Sequence, residues 1–133
     1  DAAIKAAETD EQKQVAERLR GDVEREVSSA LDLLVMMEKD GDWYRLKKTY
    51  SPLKMKLKGV PVFDEKAAAW EAAFKTKDVM DAIRIGYQYA QIAALVGRSP
   101  SSTNLKYLKA FVEKHGDTYY GKEAKKLLKE HQK

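Results

Sequence analysis

The chain has 133 residues, a formal net charge of +4, 44% hydrophobic and 35% charged residues, no cysteine and two histidines. That length fits one domain, and the apolar fraction is enough for a core, which excludes global disorder. Without cysteine there are no disulfides, thiolate metal sites or cysteine nucleophiles, and two histidines leave little from which to build a metal or catalytic centre.

No apolar run reaches the ~18 residues that would mark a membrane-spanning helix. The longest uncharged stretch, Ile85 to Gly97, is interrupted by Tyr87, Gln88, Tyr89 and Gln91. In chain order, residues 1–8 are Ala-rich and are expected to fray. The first helix is expected over about Thr9 to Lys39, with Thr9 or Asp10 as its N-cap. Val15, Leu19, Val23, Val27, Leu31 and Leu34 recur at helical spacing and form one inward stripe. Gly21 falls inside this run and marks a bend or a close contact. Asp40-Gly41-Asp42 ends the helix, with Gly41 suited to the left-handed position after it and Asp42 to capping the next.

Trp43, Leu46, Tyr50, Leu53 and Leu57 give the second helix its stripe, and Pro52 predicts a kink or a split there. Gly59-Val60-Pro61 is a stop. Asp64 is expected to cap a third helix over Glu65–Lys75, with Phe63 as a staple before it. A fourth helix is expected from Asp78 to Val96, facing inward with Val79, Ile83, Tyr87, Ala90 and Ala94. After a loop from Gly97 to Ser102, a fifth spans about Thr103–Lys114, with Leu105, Leu108, Phe111 and Val112 on one face. The sixth begins at Asp117 or Thr118 and turns Tyr120, Ala124, Leu127 and Leu128 inward. The fold class is therefore all-α: about six helices in antiparallel hairpins, forming a single helical domain over residues 1–133, either a short repeat stack or an irregular bundle.

The segment "ALDLLVMMEKDGDWYRLKKTYSPLKMKLKGVP" resembles a tetratricopeptide-type repeat, with Ala30, Gly41, Asp42, Tyr44 (or Trp43), Tyr50 and Pro61 in the repeat's characteristic places. The segment "LKYLKAFVEKHGDTYYGKEAKKLLKE" is similar to the repeats of exported bacterial proteins, including outer-membrane assembly lipoproteins and planctomycete-type modules. Phe111, Asp117, Thr118, Ala124 and Leu127 match, while His115-Gly116 stands where Tyr-Pro is usual. The units would cover about residues 22–61 and 103–131, and residues 64–104 fit no repeat. The resemblance implies a protein-interaction scaffold with no catalytic residues. It also implies a periplasmic or otherwise exported location, for which the opening Asp1 leaves room; the alternative is cytoplasmic.

Charge is unevenly spread. Residues 1–42 carry a net −6, residues 43–63 a net +6 with no acid, and residues 64–133 a net +4. One account is pairing between the acidic and basic helices, worth little per exposed pair. The other is a basic face that steers an acidic partner. That face would combine Lys47, Lys48, Lys54 and Lys56 with an outward Trp43 or Tyr44; the second candidate surface is Tyr107, Tyr119 and Tyr120. In each adjacent aromatic pair, one ring is expected outward and one inward.

The sequence-based expectation is a non-enzymatic protein–protein interaction module, an adaptor or assembly subunit, with no cofactor and no metal. A spacer or self-association domain of a larger exported protein, including a homo-oligomer, is the alternative. Nucleic-acid binding ranks third, because the bases are mostly lysine and the first third is acidic.

Overall fold

The computed structural model describes the backbone of residues 2–132 and the side chains of residues 9–132. Among the described residues six helices make up the architecture: α1 (Ala2–Asp40), α2 (Trp43–Leu57), α3 (Pro61–Phe74), α4 (Lys77–Arg98), α5 (Ser102–His115) and α6 (Tyr119–His131). Among the described residues there is no strand. The all-α expectation holds. The chain divides into two compact units, Asp1–Leu33 and Leu34–Lys133.

Unit 1 is helical throughout its described residues. Helix α1 starts at Ala2, so Thr9 and Asp10 lie inside it and neither is its N-cap. The expected fraying of residues 1–8 concerns Asp1 and the side chains of residues 2–8, which lie outside the described residues. The single inward stripe is corrected: Val27 and Leu31 are buried, but Val15, Leu19 and Val23 are exposed.

Unit 2 starts with the last turns of α1, where Leu34 and Met37 are buried. Gly41 then adopts φ +83°, the left-handed conformation that lets the chain leave a helix at no steric cost. Asp42 caps α2, its carboxylate accepting the Arg45 N–H at 3.3 Å. Helix α2 runs through Pro52 unsplit. Ser51 makes no cap there; its hydroxyl donates to the Lys47 carbonyl, one turn back, at 2.8 Å.

Helix α3 begins earlier than the Asp64 expectation. Pro61 occupies its first turn, where a fixed φ and a missing N–H cost nothing. Asp64 instead reaches back from inside that turn to accept the Gly59 N–H at 3.2 Å. Phe63 is consequently in the helix and fully buried, not a staple outside it. It stacks on Tyr50 at 6.0 Å, and Tyr50 meets Trp70 edge-on at 5.9 Å. Trp70 donates its indole N–H to Glu38 at 2.7 Å, so the polar tip of this buried ring is satisfied. These rings, with Leu46 and Leu57, are the α2–α3 part of the core.

Helix α4 is the centre of unit 2 and packs on α2, α3, α5 and α6. Its inward face only partly matches the expected one, with Val79, Ile83 and Ala90 half-buried. Tyr87 and Ala94 face solvent, and Ile85, Tyr89, Ile92 and Val96 pack inward with Leu108, Phe111, Tyr120 and Ala124. A helix with neighbours on several sides is apolar on several sides, so spacing alone selects no unique stripe. Gly97 belongs to the last turn of α4 rather than to a loop. Helices α5 and α6 form a hairpin: Ser101 accepts the Asn104 N–H at 3.2 Å and Thr118 the Gly121 N–H at 3.0 Å, capping both.

The tightest crossing is at Gly86. A Cβ there would lie 2.4 Å from Tyr44 Cβ and 2.6 Å from Tyr120 Cζ. Gly86→Ala must push α4 away from α2 and α6, at a cost of about 1–3 kcal/mol. Gly97→Ala, with nothing within 4 Å, should stabilise by about 0.5–1 kcal/mol. Urea denaturation of both variants checks the opposite signs.

Candidate functional site

An open cleft of about 540 Å³ lies in unit 2 between α2, α4 and α6, lined among others by Tyr44, Arg45, Lys48, Tyr89, Tyr119 and Glu123. Its floor is the Gly86 crossing. Because Gly86 has no side chain, Tyr120 of α6 reaches across α4 to the first turn of α2. There the Tyr120 oxygen accepts the Tyr44 N–H at 2.7 Å and its proton is donated to Asp42 Oδ1 at 3.1 Å. Burial pushes the Tyr120 phenol far above its usual pKa, and the Asp42 carboxylate adds to this. The group is therefore a permanent donor at neutral pH. Asp42, the buried charge of the site, thus has one oxygen accepting from both Tyr120 and the Arg45 N–H.

The rim is built from side chains at helical spacing. Arg45 and Lys48, one turn apart on α2, are exposed. Lys48 Nζ sits 5.9 Å from the Tyr44 ring centre, within cation–π range. Tyr119 meets Tyr120 edge-on at 5.3 Å. Its phenol is raised chiefly by burial, then by Asp42, Glu123 and Asp40, with Arg45 opposing. Tyr89 is likewise raised, mainly by burial. Both stay protonated at neutral pH. On α6 the Glu123 carboxylate accepts from Lys126 at 3.1 Å. The acids of the cleft are thus engaged within the chain, while the cations at its mouth are exposed.

The nine residues singled out from the sequence fall into four places. Tyr44, Lys48, Tyr119 and Tyr120 converge on the cleft. Trp43, Lys47 and Lys54 turn instead toward α3. Trp43 is half-buried against Phe74 at 6.3 Å, Lys47 Nζ lies 5.7 Å from the same ring, and Lys54 pairs with Glu71 at 2.8 Å. Lys56 is exposed near the end of α2. Tyr107, exposed on α5, borders a separate 320 Å³ groove with Gln88, Gln91, Ile92 and Leu95. The outward–inward rule for adjacent aromatics is only partly seen: Tyr120 is buried and Tyr119 half-buried, while Trp43 and Tyr44 are both half-buried.

Arg45, Thr49, Gly86, Tyr89, Ala90 and Glu123 also line the cleft, and sequence reasoning did not select them as site residues. The spacing of Arg45 and Lys48 was available as a signal. The close approach at Gly86 was not, since it depends on which helix crosses α4. Among the described residues, no group of three or more His, Asp or Glu side chains is placed to hold a metal ion, and no helix is long and apolar enough to cross a membrane. Comparison with protein-family models, curated proteins and solved structures gives no match to this chain.

Glu71 is the polar hub on the α3 side. Lys54 first, then the Tyr50 hydroxyl at 2.9 Å, holds its carboxyl below the ordinary value against the opposing effect of burial. Tyr50 in turn is pushed up to about 12, by burial and then by Glu71.

Two outcomes follow from this geometry. Tyr120→Phe leaves the Asp42 carboxylate and the Tyr44 N–H short of a partner and should cost about 1–3 kcal/mol, read by urea denaturation. Glu71 has a depressed folded pKa, so its contribution is present above the unfolded value and lost as pH falls through the folded one. The stability gap between the native chain and Glu71→Gln should therefore be larger near about pH 6 than below about pH 4, as read from paired urea midpoints.

Proposed function

We propose that this chain is a non-catalytic protein–protein interaction module whose α2/α4/α6 cleft receives an acidic segment of a partner protein. The observation that carries the proposal is the mouth of the cleft. Arg45 and Lys48 stand exposed there beside Tyr44, Tyr89 and Tyr119, while Asp42 and Glu123 are already engaged by Tyr120 and Lys126. Carboxylates would meet the guanidinium and the ammonium, and the protonated phenols supply further donors. Aromatic rings and arginine are the residue types that most often anchor protein interfaces. Helical hairpins such as α5–α6 offer the kind of rigid surface that repeat modules use for binding, in line with the repeat resemblance and an adaptor or assembly role in an exported protein.

The test separates the two sides of α2. A fluorescent Asp/Glu-rich peptide library is captured on the full chain, and the selected peptides are titrated by anisotropy. Arg45→Glu with Lys48→Glu should weaken binding by about tenfold or more, most strongly at low salt. Lys47→Glu with Lys54→Glu, on the α3 side, should change it less than about twofold. Equal losses from both pairs, or no selected peptide, would place the interface elsewhere.

A further inference from the structure

We propose that residues 11–25 of α1 form a docking surface for a second copy of this chain, packed antiparallel about Leu19. Val15, Leu19 and Val23 are 54%, 59% and 48% exposed. Their steps of four align them along one side of the helix. With Glu11, Gln12 and Ala16, the first two border a shallow apolar recess of about 430 Å³. A long helix with an uncovered apolar stripe gains stability by burying it against another surface.

The stripe is a palindrome: Val15 and Val23 flank Leu19 at equal spacing. A two-fold axis at Leu19 that reverses the helix direction sets Val15 against the partner's Val23, and Leu19 against the partner's Leu19. This is the self-complementary geometry of a closed dimer. Charge agrees with it. Antiparallel helices bring the same flank of each copy together. Glu11, Arg18, Asp22 and Arg25 share one such flank. In this register Glu11 falls within about 3 Å along the axis of the partner's Arg25, and Arg18 within about 3 Å of the partner's Asp22. Each pair occurs twice. The two Arg18 side chains flank the axis, and each has the partner's Asp22 on its far side. Within one chain Asp22 already pairs with Arg25, so on each side of the axis the dimer extends an existing ion pair, from the partner's Arg18 to the partner's Glu11, with the two Arg18 side chains adjacent at the axis itself. On the other flank, Lys13 and Arg20 each stand one turn from a glutamate of their own helix, Glu17 and Glu24. The surface shares no residue with the α2/α4/α6 cleft, so the two proposals stand or fall separately.

The native chain lacks cysteine, which makes the register directly readable. Full-length Leu19→Cys should form a disulfide-linked dimer under mild oxidation. Val15→Cys alone should not, because its two copies would sit about 12 Å apart along the axis, beyond the ~7 Å Cα reach of a disulfide. Val15→Cys mixed with a Val23→Cys chain of different tag length should cross-link as the mixed dimer. In sedimentation equilibrium the native chain should show twice its 15.1 kDa mass. Leu19→Glu should raise the dimer dissociation constant at least about tenfold while leaving the helical circular dichroism intact. A native chain that sediments at 15.1 kDa at its highest soluble concentration would overturn the proposal, even if it binds another protein. So would Val15→Cys cross-linking alone as readily as Leu19→Cys, which reports parallel packing.

Discussion

The arrangement of unit 2 depends on one close approach. Gly86 presents bare backbone at the middle of α4, and Tyr120 of α6 crosses over it to reach α2. The Tyr120 hydroxyl then joins two groups that would otherwise be costly to bury. It accepts the Tyr44 N–H, one of the orphan donors at the start of α2, and donates to the buried Asp42 carboxylate. Asp42 is itself the cap of α2. Helix capping, helix crossing and satisfaction of a buried charge therefore share the same few atoms. A side chain at residue 86 would disturb all three.

That junction also explains why the cleft exists. Drawing α6 across Gly86 brings the start of α6 beside α2, with Tyr119, the neighbour of Tyr120, on the rim. The first turns of α2 then contribute Tyr44, Arg45 and Lys48 to the same opening. Asp42 and Glu123 lie in the same place, but each is committed to a partner within the chain. What remains presented outward is cationic and aromatic. The character of the site comes from which charges the fold neutralises, not from the count of charges in the segment.

The basic helix divides along the same line. Its five cations surround the buried Leu46, Tyr50 and Leu57. The α3 side takes Lys47 against Phe74 and Lys54 against Glu71, where Tyr50 also donates. The cleft side takes Arg45 and Lys48. Adjacent positions on a helix are separated by about 100°, so Lys47 and Lys48 were bound to part company. In unit 1 no such division occurs: the palindromic stripe of Val15, Leu19 and Val23 is exposed, and its charges alternate along the flank.

Local chemistry was legible in the sequence wherever a few neighbouring residues decide the outcome. The left-handed Gly41, the Asp42 cap, the α5 and α6 stripes and the all-helical class follow from side-chain periodicity and capping, which act over one or two turns. The α3 start was misplaced because Pro61 and Asp64 both signal a helix beginning, and the proline sits inside the first turn while the aspartate reaches back to it. The inward face of α4 was read only in part: Val79 and Ile83 are half-buried but Tyr87 is exposed, and a second stripe, Ile85, Tyr89 and Ile92, packs on α5 and α6, which only the neighbouring helices decide. The convergence of Tyr44, Lys48, Tyr119 and Tyr120 was beyond the sequence for the same reason. Tyr44 and Tyr120 are 76 positions apart, and the missing atom that lets them meet belongs to a glycine on a third helix. Periodicity determines which side of a helix is apolar; the crossing of three helices determines what that side touches.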